Sequence, residues 1–275
     1  MAANSENESW ISTIRQKDWR QGSVVTTGAD LTMVLGPKAV ELEKEVTHWV
    51  LLSHDCDIHH HDFANEPNVE VIGAKIVTTP DGKLSHGKNP RRLQIRIREQ
   101  WVEFHAGTRM FIERRHLADL TPDRTPAFSV ENVQFLSTWI ARRYVRTAFP
   151  DSFNDRLQAH GKNISKLMSK EGSAICTLYV LLSDDAELPD GKAYRIDIVA
   201  AMRDEDHNYP EKRIAVEKTL GKLCELLKTC DGIKTDKCEV RAERDISLTD
   251  VRFLRRLEFD YMSRGESDAP PSPRP

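Results

Sequence analysis

Apolar residues recur at two different spacings along this chain, and the change from one to the other divides it. From Trp19 to about residue 120 they come in short runs at strand spacing. "GSVVTTG" and "LTMVL", separated by Gly28, Ala29 and Asp30, predict a hairpin. "PKAVELEKE" predicts a short helix with Pro37 in its first turn. "VTHWVLLSH" and "NVEVIGAKIVTT" predict buried strands, the second closed by a Pro80-Asp81-Gly82 turn. In "RRLQIRI" the alternation is strict: Leu93, Ile95 and Ile97 take one face and Arg92, Gln94, Arg96 and Arg98 the other, a strand with a cationic outer side. "WVEFH" and "RMFIERR", around Ala106-Gly107, complete a series of short strands that predicts a small barrel or strongly bent sheet.

Beyond the proline-rich "LADLTPDRTPAF" the spacing becomes helical. Ser129 is positioned to cap a helix running to about Phe149, with Val133, Leu136, Ile140, Tyr144 and Thr147 at three-to-four spacing, and Pro150 ends it. "DSFNDRLQAHGKNISKLMSK" predicts a second helical stretch, weakened near Gly161. "AICTLYVLLS" and "AYRIDIVAAM" predict a hairpin across the acidic loop "DDAELPDGK". A helix from Glu211 to about Thr229 follows, then a strand "KCEVRAER" and a helix "SLTDVRFLRRLEFDYM" with Ser247 as its N-cap. The fold class expected is α+β: a disordered N-terminus over 1–18, an N-terminal small β-barrel-like domain over 19–120, a helical connector over 129–171, a C-terminal α+β domain over 172–264 and a disordered tail over 265–275.

Composition supports a folded chain: 275 residues, 39% hydrophobic and 30% charged. No apolar run approaches membrane length, and "MAANSENESW" lacks the order of an export signal, so no membrane is expected and the location expected is cytoplasmic. The odd number of cysteines, Cys56, Cys176, Cys224, Cys230 and Cys238, argues for reduced thiols. Charge is uneven. Residues 83–170 carry 17 Lys and Arg against 8 Asp and Glu, between two acidic flanks. Such a block is a candidate surface for nucleic acid or another polyanion.

The order "QGSVV", "HWVLLS", "VEVIGAK" resembles the opening of the MazF/PemK-type toxins, small SH3-like barrels that cleave RNA. The likeness covers about residues 20–80. Gly22, Ser23 and Val24 fall at the family's first strand, and Val50, Leu51, Leu52 and Ser53 at a later one. Where the family has Arg-Pro entering that strand this chain has His48-Trp49, and the family's catalytic positions find no match. The resemblance implies an SH3-like barrel without implying a toxin-like ribonuclease activity.

The densest chemistry is "LLSHDCDIHHHDF", residues 51–63. If the strand continues through it, His54 and Cys56 share one face and Asp55 and Asp57 the other. Three readings compete with a plain solvated loop. His54, Cys56 and His60 are candidate zinc ligands. Cys56 with His54 as base is a candidate nucleophile, although the nearby aspartates oppose a thiolate. Asp55 and Asp57 with Glu70 are candidate magnesium ligands for phosphoryl chemistry. Asp197, Glu239 and Arg241 resemble the carboxylate pattern of restriction-type nucleases, with arginine in place of its lysine. In the basic block, Lys88, Arg91, Arg92, Arg96, Arg98, Arg142, Arg143 and Arg146 are candidate phosphate contacts.

These readings combine into an expected function: binding of a polyanion, chiefly nucleic acid, as an accessory or effector component of a larger bacterial-type system. The alternatives are a metal-dependent or Cys/His-dependent hydrolase, such as a nuclease, centred on His54 to Asp57, and a structural adaptor that docks a protein partner.

Overall fold

The computed structural model describes residues 2–26, 34–36, 46–124, 128–145 and 148–258. The protein is mixed α+β with two sheets. The chain divides into two compact units, Met1–Thr79 with Ile95–Ala141, and Pro80–Gln94 with Arg142–Pro275.

The first unit begins with α1 (Ala2–Gln16) where a disordered N-terminus was expected. Ile11 and Ile14, at helical spacing, are buried, and Ile14 joins Trp19 in the core. The sheet contains β1 (Val24–Thr26), β2 (His48–Leu51), β3 (Asn68–Val77), β4 (Arg92–Ile97), β5 (Gln100–His105) and β6 (Met110–Glu113), ordered β1-β2-β3-β5-β4 with β6 also on β3. Along one edge β3 serves two partners, β6 by residues 68–71 and β5 by residues 74–77, while β2 takes the other edge. β1 and β4 end the strand order without pairing to each other, so the sheet is open and the expected barrel is not closed. β1 pairs with β2, with Val24 opposite Val50. The partner expected for β1, "LTMVL", lies largely outside the described residues, as do the helix expected over "PKAVELEKE" and the tail over 265–275.

Two faces of this sheet are apolar. Trp49, Leu51, Val69 and Val71 pack with Ile14, Trp19, Ile112 and Leu117 in one core. Val50 is also fully buried, on the opposite face of β2, so this short strand is covered on both sides. In β4 the expected apolar face holds, since Leu93, Ile95 and Ile97 are buried. The expected cationic face holds only in part: Arg96 is exposed, Arg92 is half-buried, and Gln94 is buried with its side-chain oxygen accepting the Asp81 amide at 2.7 Å. The outer side of β4 is not uniformly solvated because the segment before it folds back on the strand, the Gln94 amide donating to the Leu84 carbonyl at 2.9 Å.

After β2 the short helix α2 (Asp55–Ile58) forms, and α3 (Val130–Val145) crosses from the first unit's residues into the second's. The Ser129 hydroxyl accepts from the Asn132 amide at 3.3 Å, as a cap. The second unit continues with α4 (Asp151–Gln158) and α5 (Gly161–Glu171), the break falling where Gly161 weakens the pattern. The expected hairpin is β7 (Thr177–Leu182) against β8 (Tyr194–Met202). Then come α6 (Asp204–His207), α7 (Pro210–Lys228), β9 (Ile233–Ala242), α8 (Leu248–Phe253) and β10 (Arg255–Arg256). The sheet order is β10-β7-β8-β9, and β9 runs parallel to β8 because α7 carries the chain back across the sheet. Leu178, Val180, Ile196, Ile198, Leu220 and Leu223 fill its core. Ser247 and Asp250 form a reciprocal capping box at α8, which ends at Phe253, well short of the expected helix.

The cysteines do not all remain thiols as expected. Cys224 on α7 and Cys238 on β9 form a disulfide, because the crossover helix packs on the strand that follows it. Cys56, Cys176 and Cys230 are free. No described helix is long and apolar enough to cross a membrane.

Candidate functional site

The stretch from His54 to Phe63 is organised as a clamped loop. β2 stops at Leu51, and the His54 side chain caps α2 by accepting the Cys56 amide at Nδ1, 3.3 Å away. The expected strand alternation therefore fails: His54 with Cys56, and Asp55 with Asp57, are not split across a sheet. Asp55 accepts the Gln21 amide at 2.7 Å. His59 bonds the Trp19 carbonyl at 2.8 Å through Nε2, and His60 turns its Nδ1 to Asp62. Beneath them Arg114 is completely buried. Its two terminal nitrogens donate to the carbonyls of Asp57 (3.0 Å), Ile58 (3.3 Å), His60 (2.6 Å) and Asp62 (3.0 Å), and its guanidinium lies 4.0 Å from the Phe63 ring centre. Burial pushes the Arg114 pKa below its ordinary value, against the pull of Glu66, Asp62 and Asp57.

The candidate ligands and catalytic groups are thereby drawn apart. Glu70 pairs with Arg109 at 3.1 Å. Among the described residues no three His, Cys, Asp or Glu side chains are grouped to hold a metal ion, so His54, Cys56 and His60, the expected zinc set, are not brought together, and neither are Asp55, Asp57 and Glu70. The side chains of His54, Asp55 and His60 bond backbone, while Cys56 is an exposed free thiol.

The basic block is likewise divided. Lys88 is buried, and its ammonium donates to the Gly172 and Ile175 carbonyls at 2.6 and 2.8 Å; it braces a turn and is unavailable to a ligand. Burial lowers its pKa to about 7. Arg143 donates to the Pro90 carbonyl at 2.5 Å. Asn89 accepts the amides of Arg91 and Arg92 in the turn that enters β4. Arg142 is half-buried, and Arg146 lies outside the described residues. Arg96 pairs with exposed Glu99 at 3.0 Å, a surface pair worth at most about 1 kcal/mol and cheaply opened. On the second sheet, Glu239 pairs with Lys237 and Arg241, so the nuclease-like carboxylate is already neutralised.

Arg98 differs from all of these. It opens the two-residue Arg98-Glu99 turn between β4 and β5 with φ of 53°, a left-handed conformation that side chains other than Gly, Asn and Asp rarely adopt. Its guanidinium is exposed and has no hydrogen-bond or ion-pair partner among the described residues. It stands at a cavity of about 350 Å³ in the first unit, lined by Val24, His48, Val50, Ala74, Ile76, Ile97, Arg98, Glu99, Gln100, Val102 and Phe128. This is the second apolar face of the sheet. The register sets His48 against Ala74 and Ile76 against Val102, so alternate residues of β2, β3 and β5 turn the same way. Ile76 is 45% exposed, which leaves apolar surface open at this face. Chemically the cavity offers apolar walls, an aromatic ring from Phe128, and His48, Gln100, Arg98 and the Glu99 carboxylate, paired with Arg96, as polar groups. The volume falls in the range of small-ligand pockets.

Of these residues only Arg98 was a candidate ligand contact in the sequence. The others carry a weak signal there: β2 is apolar on both faces, which in a short antiparallel strand requires a second covering layer.

No family model matches the chain, no curated protein does, and no solved structure does.

Proposed function

We propose that the protein is a nucleic-acid-binding module that takes one unpaired base of a strand into the cavity of its first unit, with Arg98 on the neighbouring phosphate. The observation that carries this reading is the pairing of an apolar cavity with an unpartnered arginine on strained backbone at its rim. A positive φ at arginine is a standing cost, and such costs persist where the side chain's placement matters. Binding of unpaired nucleic acid combines an apolar or aromatic surface for the base with cations along the backbone, and the stacking part is worth about 1–3 kcal/mol per base. The cavity supplies the first through Phe128, Val50 and Val102. Arg98 supplies the second, and Arg96 joins it when its pair with Glu99 opens. In this reading the module acts as an accessory component and no catalytic group is assigned.

The test is fluorescence anisotropy with a labelled single-stranded oligonucleotide, at several salt concentrations. Saturable binding is expected, weakening as salt rises because phosphate counterions are released. Arg98→Ala should weaken it by about tenfold, the scale of a charge-assisted contact, and Ala74→Leu, which puts a larger side chain into the cavity, should abolish it. Equal binding by wild type and Ala74→Leu would remove the cavity from the account. Binding of a free nucleoside monophosphate with no binding of the oligonucleotide would replace nucleic acid by a small anion as the ligand.

A further inference from the structure

We propose a second binding site, independent of the cavity, for a phosphate group at the carboxyl edge of the second unit's sheet, held by Arg142, Arg203 and Arg256. The strand order sets the place. β8 and β9 are parallel and end together, with Met202 opposite Ala242, so the next residues, Arg203 and Glu243, emerge side by side. β10 is antiparallel to β7, and β7 to β8, so β10 runs with β8 and brings Arg256 toward the same edge. In open sheets with parallel strands this edge is where ligands bind, because the chains diverge there and leave a crevice.

The arginines at this edge are held without being neutralised. Arg256 is fixed by donating to the His86 carbonyl at 3.0 Å, and burial together with the neighbouring Arg142 lowers its pKa to about 10. Arg142 keeps its Nη1 buried with no hydrogen-bond partner among the described residues. A buried, charged donor of this kind is disfavoured unless something outside the chain accepts from it. Arg142, Arg203 and Arg256 all act electrostatically on the Glu243 carboxyl, yet none of them makes an ion pair with it within 4 Å among the described residues. Burial instead pushes the Glu243 pKa up. Of the other acids nearby, Asp204 accepts the Arg244 amide at 3.1 Å. Guanidinium forks match phosphate oxygens two at a time, and a tetrahedral oxyanion supplies acceptors for the donors that these side chains do not spend on carbonyls. Lys88 is spent on its two carbonyls and takes no part.

Calorimetric titration of the full chain with inorganic phosphate and, separately, with phenyl phosphate tests this. One saturable site is expected, with affinity reduced by about tenfold or more in Arg142→Gln and in the exposed variant Arg203→Gln. Arg241→Gln, which removes the same charge from a side chain already paired with Glu239 and Asp250, should bind as wild type does. Tighter binding of the monoester would mark a phosphorylated molecule as the ligand, and equal binding would mark the free anion; both support the site. Absence of saturable heat up to about 10 mM, weaker than any specific phosphate site of this charge, would overturn it, as would equal binding by wild type and both edge variants.

Discussion

Replacing Arg114 by Met probes what the histidine-rich stretch is for. The side chain is fully buried and its terminal nitrogens satisfy the carbonyls of Asp57, Ile58, His60 and Asp62. Methionine fills similar apolar volume and donates nothing, so four acceptors lose their partner at once. Each buried unsatisfied group costs about 1–3 kcal/mol, and relief of the arginine's own desolvation offsets part of the total. A net loss of about 3–4 kcal/mol is expected, the usual scale for removing one member of a buried charged network. Urea unfolding measures it. Native-state hydrogen exchange localises it, since the Ile58 and His59 amides bond the His54 and Asp55 carbonyls and should exchange about a hundredfold faster when the loop opens. Arg115→Ala is the control: that side chain is half exposed, pairs with Glu113 at the surface, and should cost less than about 0.5 kcal/mol. A loss below about 1 kcal/mol in Arg114→Met, with exchange over residues 55–62 unchanged, would refute the view that this loop is a clamped structural element.

Arg98→Gly removes a side chain from a left-handed position and should raise stability by about 0.5–1 kcal/mol in urea titration while weakening oligonucleotide binding; a variant that loses both would sever strain from function. Lys88 has a folded pKa of about 7 against 10.5 unfolded, so the unfolded chain holds more protons and stability rises as pH climbs from 7 toward 10.5. Wild type should therefore gain about 3 kcal/mol on Lys88→Met between pH 7 and pH 10; parallel pH profiles of the two proteins would show that the ammonium is not penalised. Breaking the Cys224–Cys238 bridge, which spans 14 residues, should lower stability by about 3 kcal/mol on the chain-entropy account. Cys224→Ser tests it by thermal unfolding, and a midpoint unchanged by the substitution or by reductant would contradict it.

Much of the fold was legible because local pattern and tertiary environment agree. Ser129, Gly161 and Ser247 mark helix boundaries by backbone chemistry that neighbours do not alter, and the apolar runs in "TLYVLL" and "YRIDIVAA" form the expected hairpin. The misreadings arise where long-range contacts decide. "SHDCDI" continues a strand pattern, but the buried Arg114, more than fifty residues away, gathers its carbonyls and bends the chain into a helical turn. The N-terminus is polar enough to read as disordered, yet two isoleucines one helical turn apart are buried, and Ile14 packs with Trp19 and the sheet. Lys88 and Arg143 count as surface charge in any composition, and only the structure shows them spent on carbonyls. The cavity was the least visible feature, because it is built from ordinary strand residues whose meaning lies in a second covered face.

The most direct measurement of the account is methyl-resolved nuclear magnetic resonance of the protein titrated with a single-stranded oligonucleotide. The methyls of Val50, Ile76 and Val102 line the cavity and should shift together, saturating at one equivalent, while those of Leu223 and Leu227 in the second unit's core stay in place. Oligonucleotide binding that leaves the three cavity methyls unmoved, or the absence of any binding, would contradict it.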